Sequence, residues 1–280
     1  GTHKPEVSGS IPLPATKKIM ASSTEYNANF FKKFLKKIIS LSGYEVKRIN
    51  NFNDRNHDKI VELNDEEYKE IYKFEKICLA SKANLWSILQ SIKHVKNNNV
   101  EGDFVECGIY NGSTLSFIGK FLNKYKMEKK IWGYDTFEDG FKQKNISEFD
   151  LDYKTKKNIN LKNDTTKYFS VQDVISNINQ NHSYNNESYK LIKGDIINTL
   201  DSQENIPKRI SFLRMDTDIY KTTVKQLEVL YPKLSPGGIL HVDDYGLCTG
   251  VRKAVDDYFK GQNIWLHRVD LTCRYLIKNK

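Results

Sequence analysis

The chain has only four cysteines, Cys78, Cys107, Cys248 and Cys273, far apart and without a CxxC pair. Neither a disulfide framework nor a structural zinc site is expected, and the reading is a reduced, cytoplasmic chain. No apolar run approaches the roughly 18 residues needed to span a bilayer. The stretch "IPLPATKKIM" lacks the apolar core of a signal peptide, so no secretory leader is expected. There is no GxGxxG, which weighs against a loop that cradles a pyrophosphate. There is no RNP-type aromatic and basic module, so no nucleic-acid partner is expected. Internal repeats and heptad runs are also missing.

What is present suffices for a core. Of 280 residues, 39% are hydrophobic and 12% aromatic, enough for one large domain with an appendage or for two small ones. The formal charge of +9 sits largely on lysine clusters such as "FFKKFLKKII". Lysines on solvated faces account for it, as does attraction to an anionic partner; charge alone does not choose. Residues 1–23 are rich in Gly, Pro, Ser and Thr without periodicity and read as a linker. Residues 29–41 read as a basic amphipathic helix carrying Phe30, Phe31, Phe34, Leu35, Ile38 and Ile39. Such a helix packs on the core or on a second subunit of a homo-oligomer; the alternative is peripheral contact with an anionic membrane. An N-terminal helical region is expected over 24–100, with a break near Ser81 and an end at the asparagines 97–99.

From residue 101 the rhythm alternates between strand and helix. Short apolar strands are expected in 102–110, 129–135, 189–195, 209–216 and 239–244, with helices between them and two closing strands after 263. "SPGG" reads as a turn, and 136–170 as a long polar excursion acting as an active-site loop. This alternation predicts an α/β fold, a mostly parallel sheet covered by helices on both faces.

In such a sheet, ligands bind outside the carboxyl ends of the strands. Each of the five strands ends in an acid: Glu106, Asp135, Asp195, Asp216 with Asp218, and Asp243 with Asp244. Acids bunched at one edge repel one another unless something cationic compensates. Glu106, in the glycine-containing stretch "ECGIYNG", suits a ligand with an ammonium group, such as the methionyl end of S-adenosylmethionine. Asp135 stands where an acid commonly takes ribose hydroxyls. Asp216 and Asp218 share a strand face by alternation, and Asp243 and Asp244 close the next strand. Carboxylates in this number suit Mg²⁺; with no histidine or cysteine in either cluster, zinc is not expected. Any one of these acids alone would also serve as a helix cap or as a partner for the abundant lysines or for Arg214.

The segments "GDFVECGIYNGS", "WGYDTFEDG", "LIKGD", "LRMDTDIYKTTVKQLEVLYPKLSPGGILHVDDYG" and "RKAVDDY" closely resemble the macrocin O-methyltransferase family over about residues 80–280. The resemblance implies a Rossmann-like class I methyltransferase fold with a seven-stranded sheet over 101–280. It also implies transfer of a methyl group from S-adenosylmethionine to a sugar hydroxyl, with Mg²⁺, on a small-molecule or glycan acceptor. Carried over by residue, Asp216, Asp243 and Asp244 would bind the metal and Asp218 would be the general base. Glu106, Gly108, Asn111, Gly112, Ser113, Asp135 and Thr136 would form the cofactor turn and its ribose contacts, with Asp195 beside the adenine. Members often show Trp-Arg-Gly-Gly where this chain has Tyr110, Asn111, Gly112 and Ser113. Other readings of the same residues are a Mg²⁺-dependent methyltransferase acting on catechol-like hydroxyls, a nicotinamide-dependent enzyme, and a cofactor-binding protein without turnover.

Overall fold

Asn64 opens the first helix, α1 (Asp65–Glu75), with a capping box: its side chain accepts from the Glu67 N–H, and Glu67 returns a bond to Asn64. Ser81 caps α2 (Lys82–Asn97) in the same manner through the Asn84 N–H, so the break expected near Ser81 is a helix start. The computed structural model describes residues 60–138, 140, 143–151, 168–181, 185 and 187–279. The linker expected at 1–23, the basic helix at 29–41 and the centre of the 136–170 excursion lie outside the described residues.

Beyond α2 come β1 (Asp103–Cys107), α3 (Ser113–Lys124), β2 (Ile131–Asp135), α4 (Val171–Asn181), β3 (Tyr189–Lys193), a short α5 (Ile196–Thr199), β4 (Ile210–Met215), α6 (Tyr220–Val229), β5 (Leu234–Val242), α7 (Thr249–Tyr258), β6 (His267–Arg268) and β7 (Arg274–Ile277). They build one seven-stranded sheet of order β3-β2-β1-β4-β5-β7-β6. β7 runs antiparallel to β5 and to β6; the other pairs are parallel. Two expectations need correction. The "SPGG" stretch lies within β5 as a bulge: Ile210 pairs with Leu234, but Phe212 pairs with Ile239, so the extra residues are absorbed inside the strand. Of the expected strand around 264–270, only His267 and Arg268 join the sheet.

Strand alternation sends neighbouring residues to opposite faces, and both faces are covered. Phe104, Phe212 and Ile239 pack with residues of α1 to α4, including Ile71, Phe74, Leu85 and Ile88. Val105, Leu213 and Leu240 pack with α5 to α7 through Ile196, Leu227, Val251 and Val255. Because α1 and α2 share the first of these cores with the sheet, the described residues have no domain boundary at residue 100. Strand order reverses beside β1, where chain connections leave β1 for β2 on one side and enter β4 on the other. The crevice above β1 and β4 is therefore the position for a ligand.

Candidate active site

The turn after β1 sets the geometry of that crevice. Gly108 has φ +82°, and a Cβ there would stand 1.8 Å from the Asp216 carbonyl oxygen, so only glycine lets this turn close onto the end of β4. The end of β2 supports the turn from the other side. Asp135 Oδ2 accepts from the Ile109 and Tyr110 N–H groups at 2.9 and 3.0 Å, and its Oδ1 from the Phe137 N–H at 3.0 Å. Four non-glycine residues around the crevice hold left-handed backbone: Tyr110, Phe137, Asp218 and Asp244, with φ from 50° to 60°. Backbone of this kind costs on the order of 1 kcal/mol or more per residue and gathers at functional sites.

Together these turns enclose a cavity of about 640 Å³, a size suited to a nucleoside-bearing ligand. Gly108, Tyr110, Asp135, Thr136, Asn145, Asp195 and Ile196 line one part, and Asp216, Asp218, Asp243 and Asp244 another. Asp195 uses Oδ1 to cap α5 at Ile197 and accepts from Asn145 Nδ2 at 2.8 Å with Oδ2. Asn145, missed in the sequence, reaches the cavity from the 143–151 segment. Asp150 anchors that segment, accepting from the Tyr220 N–H at the start of α6, while Thr249 holds Phe149 and Leu151.

Three expected residues lie elsewhere. Asn111 Nδ2 and Ser113 Oγ both donate to the Ile77 carbonyl, tying the chain between α1 and α2 to the turn, and Gly112 packs against Val174. None of the three lines the cavity. Glu106 is 1% exposed and lies beneath the crevice floor; its Oε1 accepts from Arg214 at 2.7 Å and its Oε2 has no partner. Burial pushes its carboxyl up to about 8 against the pull of Arg214.

Arg214, expected only as an alternative partner for the strand-end acids, is the centre of the site. Its register partner on β1 is Glu106, and its guanidinium is 2% exposed. Nη1 reaches Glu106 and Asp216, and Nη2 reaches Asp243, the last two at 2.5 Å. One guanidinium therefore serves three acids drawn from three adjacent strands. Asp243 is the most fully engaged: Oδ2 also accepts from Asn84 on α2, and Oδ1 from Thr272 and the Asp244 N–H. Burial opposes charge on Asp243, but Arg214, His241 and these donors outweigh it and hold its carboxyl below the ordinary range.

The other acids are not compensated in this way. Burial, with Asp243 and Asp244 nearby, pushes Asp216 well above the carboxylate range despite Arg214. Burial and the Asp218 charge do the same to Asp244. Asp218 rises to about 6, chiefly by burial, although a hydrogen bond with Asp244 pulls it down. Asp216 and Asp218 do not share a strand face as expected: β4 stops at Met215, and the left-handed backbone at Asp218 aims its carboxylate. Oxygens of Asp216, Asp243 and Asp244 lie within 4.8 Å of one another. An all-oxygen set in which Asp216 and Asp244 are raised while Asp243 stays charged beside Arg214 fits a hard divalent cation. The expectation that no cysteine joins the cluster is overturned: a turn closed by the Cys248 N–H on the Asp244 carbonyl brings the Cys248 thiol to within 4.8 Å of the Asp218 and Asp244 oxygens.

A family model described as Macrocin-O-methyltransferase (TylF) matches residues 30–278. Demethyldecarbamoylnovobiocin O-methyltransferase of Streptomyces niveus is 30% identical over 175 residues, covering 62% of this chain and 64% of the relative. Mycinamicin III 3''-O-methyltransferase of Micromonospora griseorubida is 26% identical over 168 residues, 60% of this chain and 64% of the relative. The match thus spans less than two thirds of the length of either relative. The solved structure of the O-methyltransferase NovP aligns with TM-score 0.61 at 24% identity, covering 71% of this chain and 81% of its own. That of CalS11, a calicheamicin methyltransferase, aligns with TM-score 0.53 at 18% identity, covering 78% and 94%. At such identities the likeness shows the fold, a Rossmann-like class I methyltransferase fold.

Proposed function

Because the chain belongs to the macrocin-O-methyltransferase (TylF) family, we propose that it transfers a methyl group from S-adenosylmethionine to a sugar hydroxyl with the help of Mg²⁺. The observation that carries this reading is the meeting of Asp216, Asp218, Asp243 and Asp244 at one wall of a cavity whose other part holds Asp135 and Asp195.

When bound, the cofactor supplies an electrophilic methyl group and Mg²⁺ supplies a Lewis acid that eases loss of the hydroxyl proton. Asp216, Asp243 and Asp244 would hold the cation, Asp243 by releasing one of its present hydrogen bonds. Asp218 Oδ accepts the proton of the acceptor hydroxyl, acting as general base. Its left-handed backbone aims that oxygen, and Arg214 fixes the neighbouring carboxylates, so the reacting groups are positioned before the acceptor arrives. Asp135 would receive the ribose hydroxyls, and Asp195 with Asn145 would stand beside the adenine. Tyr110, Ile196 and Leu247 contribute apolar wall that excludes water, which favours a step in which positive charge is lost.

Calorimetric titration with S-adenosylmethionine and with NAD, each with and without Mg²⁺, tests the cofactor. Binding of the first alone is the expected result. A response to NAD and none to S-adenosylmethionine would leave only the fold standing.

A further inference from the structure

We propose that Asn84 belongs to the cation site and bridges two of its parts: Nδ2 holds the Asp243 carboxylate, and Oδ1 accepts a hydrogen bond from an O–H group bound to the cation. The residue stands in the first turn of α2, away from the strand ends that supply the acids. It is 1% exposed, lines the cavity, and donates from Nδ2 to Asp243 Oδ2 at 2.8 Å. Its Oδ1 is also buried and, among the described residues, has no hydrogen-bond partner. A buried amide oxygen left unpaired costs about 1–3 kcal/mol, so a donor arriving through the cavity gains that much by meeting it. Glu106 Oε2 is unpaired too, but Glu106 does not line the cavity.

The surrounding bonds keep Asn84 from turning to another protein group. Ser81 Oγ accepts from the Asn84 N–H at 3.1 Å and donates to Asp270 Oδ2 at 2.5 Å. Asp270 Oδ1 accepts from the Thr272 N–H, and the Thr272 hydroxyl reaches Asp243 Oδ1. The circuit closes where Asp243 Oδ2 accepts from Asn84. It ties the start of α2 and the turn between β6 and β7 to Asp243, and Asn84 Oδ1 is its one buried side-chain oxygen without a partner.

The class of ligand follows from the chemistry of the atom. An amide oxygen only accepts, so its partner carries a donor hydrogen. Mg²⁺ held by few carboxylates keeps several waters, whose hydrogens the ion makes strong donors. The bond that Asp243 gives up to the ion is then the one from Thr272, whose hydroxyl has Asp270 Oδ1 at 3.2 Å as an alternative acceptor. In the proposed reaction an acceptor hydroxyl replaces the water beside Asn84; that step rests on the functional reading. Groups that orient a metal ligand in this way typically contribute about 10–100-fold in metal affinity.

Mn²⁺ is the probe. A crystal structure of the Mn²⁺-loaded protein should show Asn84 Oδ1 within hydrogen-bond distance of an oxygen bound to the ion. Asn84→Ala should weaken Mn²⁺ binding by about tenfold or more, followed by the electron paramagnetic resonance of free Mn²⁺, while circular dichroism stays unchanged. Thr272→Val should not weaken it. An equal loss in Thr272→Val would show that loosening Asp243 is all that either change does, and overturns the proposal. Mn²⁺ on the acids with Oδ1 still unpaired also overturns it and leaves the cation reading standing. No Mn²⁺ binding in the wild type would remove the cation from the functional reading, and the role of Asn84 with it. None of these readouts needs turnover, so failure to bind S-adenosylmethionine counts against the methyl-transfer reading alone.

Discussion

Nη2 of Arg214 lies 2.5 Å from Oδ2 of Asp243, and both groups are almost wholly removed from water. The same guanidinium bonds Glu106 and Asp216, so the floor of the crevice carries three acids on one base. Arg214 takes one oxygen from each of Asp216 and Asp243, and the other Asp243 oxygen accepts from Thr272 and the Asp244 N–H.

Removing this cation leaves buried acids uncompensated, which is far more costly than removing a surface ion pair. Arg214→Met should destabilise the protein by roughly 3–5 kcal/mol, read as a lowered Tm, and added Mg²⁺ should recover part of the loss. A change in Tm no larger than that of a surface Lys→Met control would show that the acids are compensated by other means.

Asp218→Asn keeps the left-handed backbone, which asparagine tolerates, and removes the proton acceptor. S-adenosylmethionine affinity should be retained while kcat falls roughly 10²–10⁴-fold. In the wild type a base raised to about 6 must be deprotonated to act, so the rate should fall as pH drops through about 6. Mg²⁺ favours the charged form and moves that limb to lower pH. Full turnover by the Asn variant, or the same acid limb in the wild type and the Asn variant, would remove Asp218 from the role.

Gly108→Ala places a methyl group 1.8 Å from the Asp216 carbonyl oxygen and forces alanine to φ +82°. A loss of stability on the order of 2–3 kcal/mol is expected, together with weaker Mg²⁺ binding, because the clash pushes on a metal ligand. Calorimetric Mg²⁺ titration and thermal unfolding of the one variant check both parts; unaltered Mg²⁺ affinity would separate the turn from the cation site.

His241 is fully buried between Phe212 and the Cys273 thiol, and burial together with the Arg214 charge lowers it from 6.5 to about 3. Between those values the unfolded chain binds a proton that the folded chain refuses. Its contribution to stability is therefore present above pH 6.5 and lost progressively as pH falls toward 3, by about 2 kcal/mol at pH 5. His241→Asn should flatten the decline in Tm between pH 7 and pH 5; the same slope in both proteins would sink the assignment.

Much of the fold was legible because it is local. The periods of the apolar residues marked the alternating strands and helices, and a break was legible near Ser81, where the structure starts a helix. Parallel order follows from helices between strands, and the strand-end rule placed Asp135, Asp195, Asp216, Asp218, Asp243 and Asp244 on one cavity. Chain chemistry also supports the family through the run from Arg214 to Gly246.

What the tertiary structure decided depends on register and on turns. In the sequence Arg214 reads as one cation among many that could pair with these acids; its register beside Glu106 on one side and the approach of Asp243 on the other make it the hub of the site. Asn111 and Ser113 follow the glycine turn in sequence, but their side chains fasten Ile77, because the turn must close against the chain between α1 and α2. Asn145 and Cys248 carry no signal of their own, since each meets its carboxylates only when loops far apart along the chain converge. Acids at strand ends could be read from order alone, because a parallel sheet fixes which end they occupy. Which of them is neutralised, and by what, is a matter of distances of a few ångströms between separate strands, and only folding sets those.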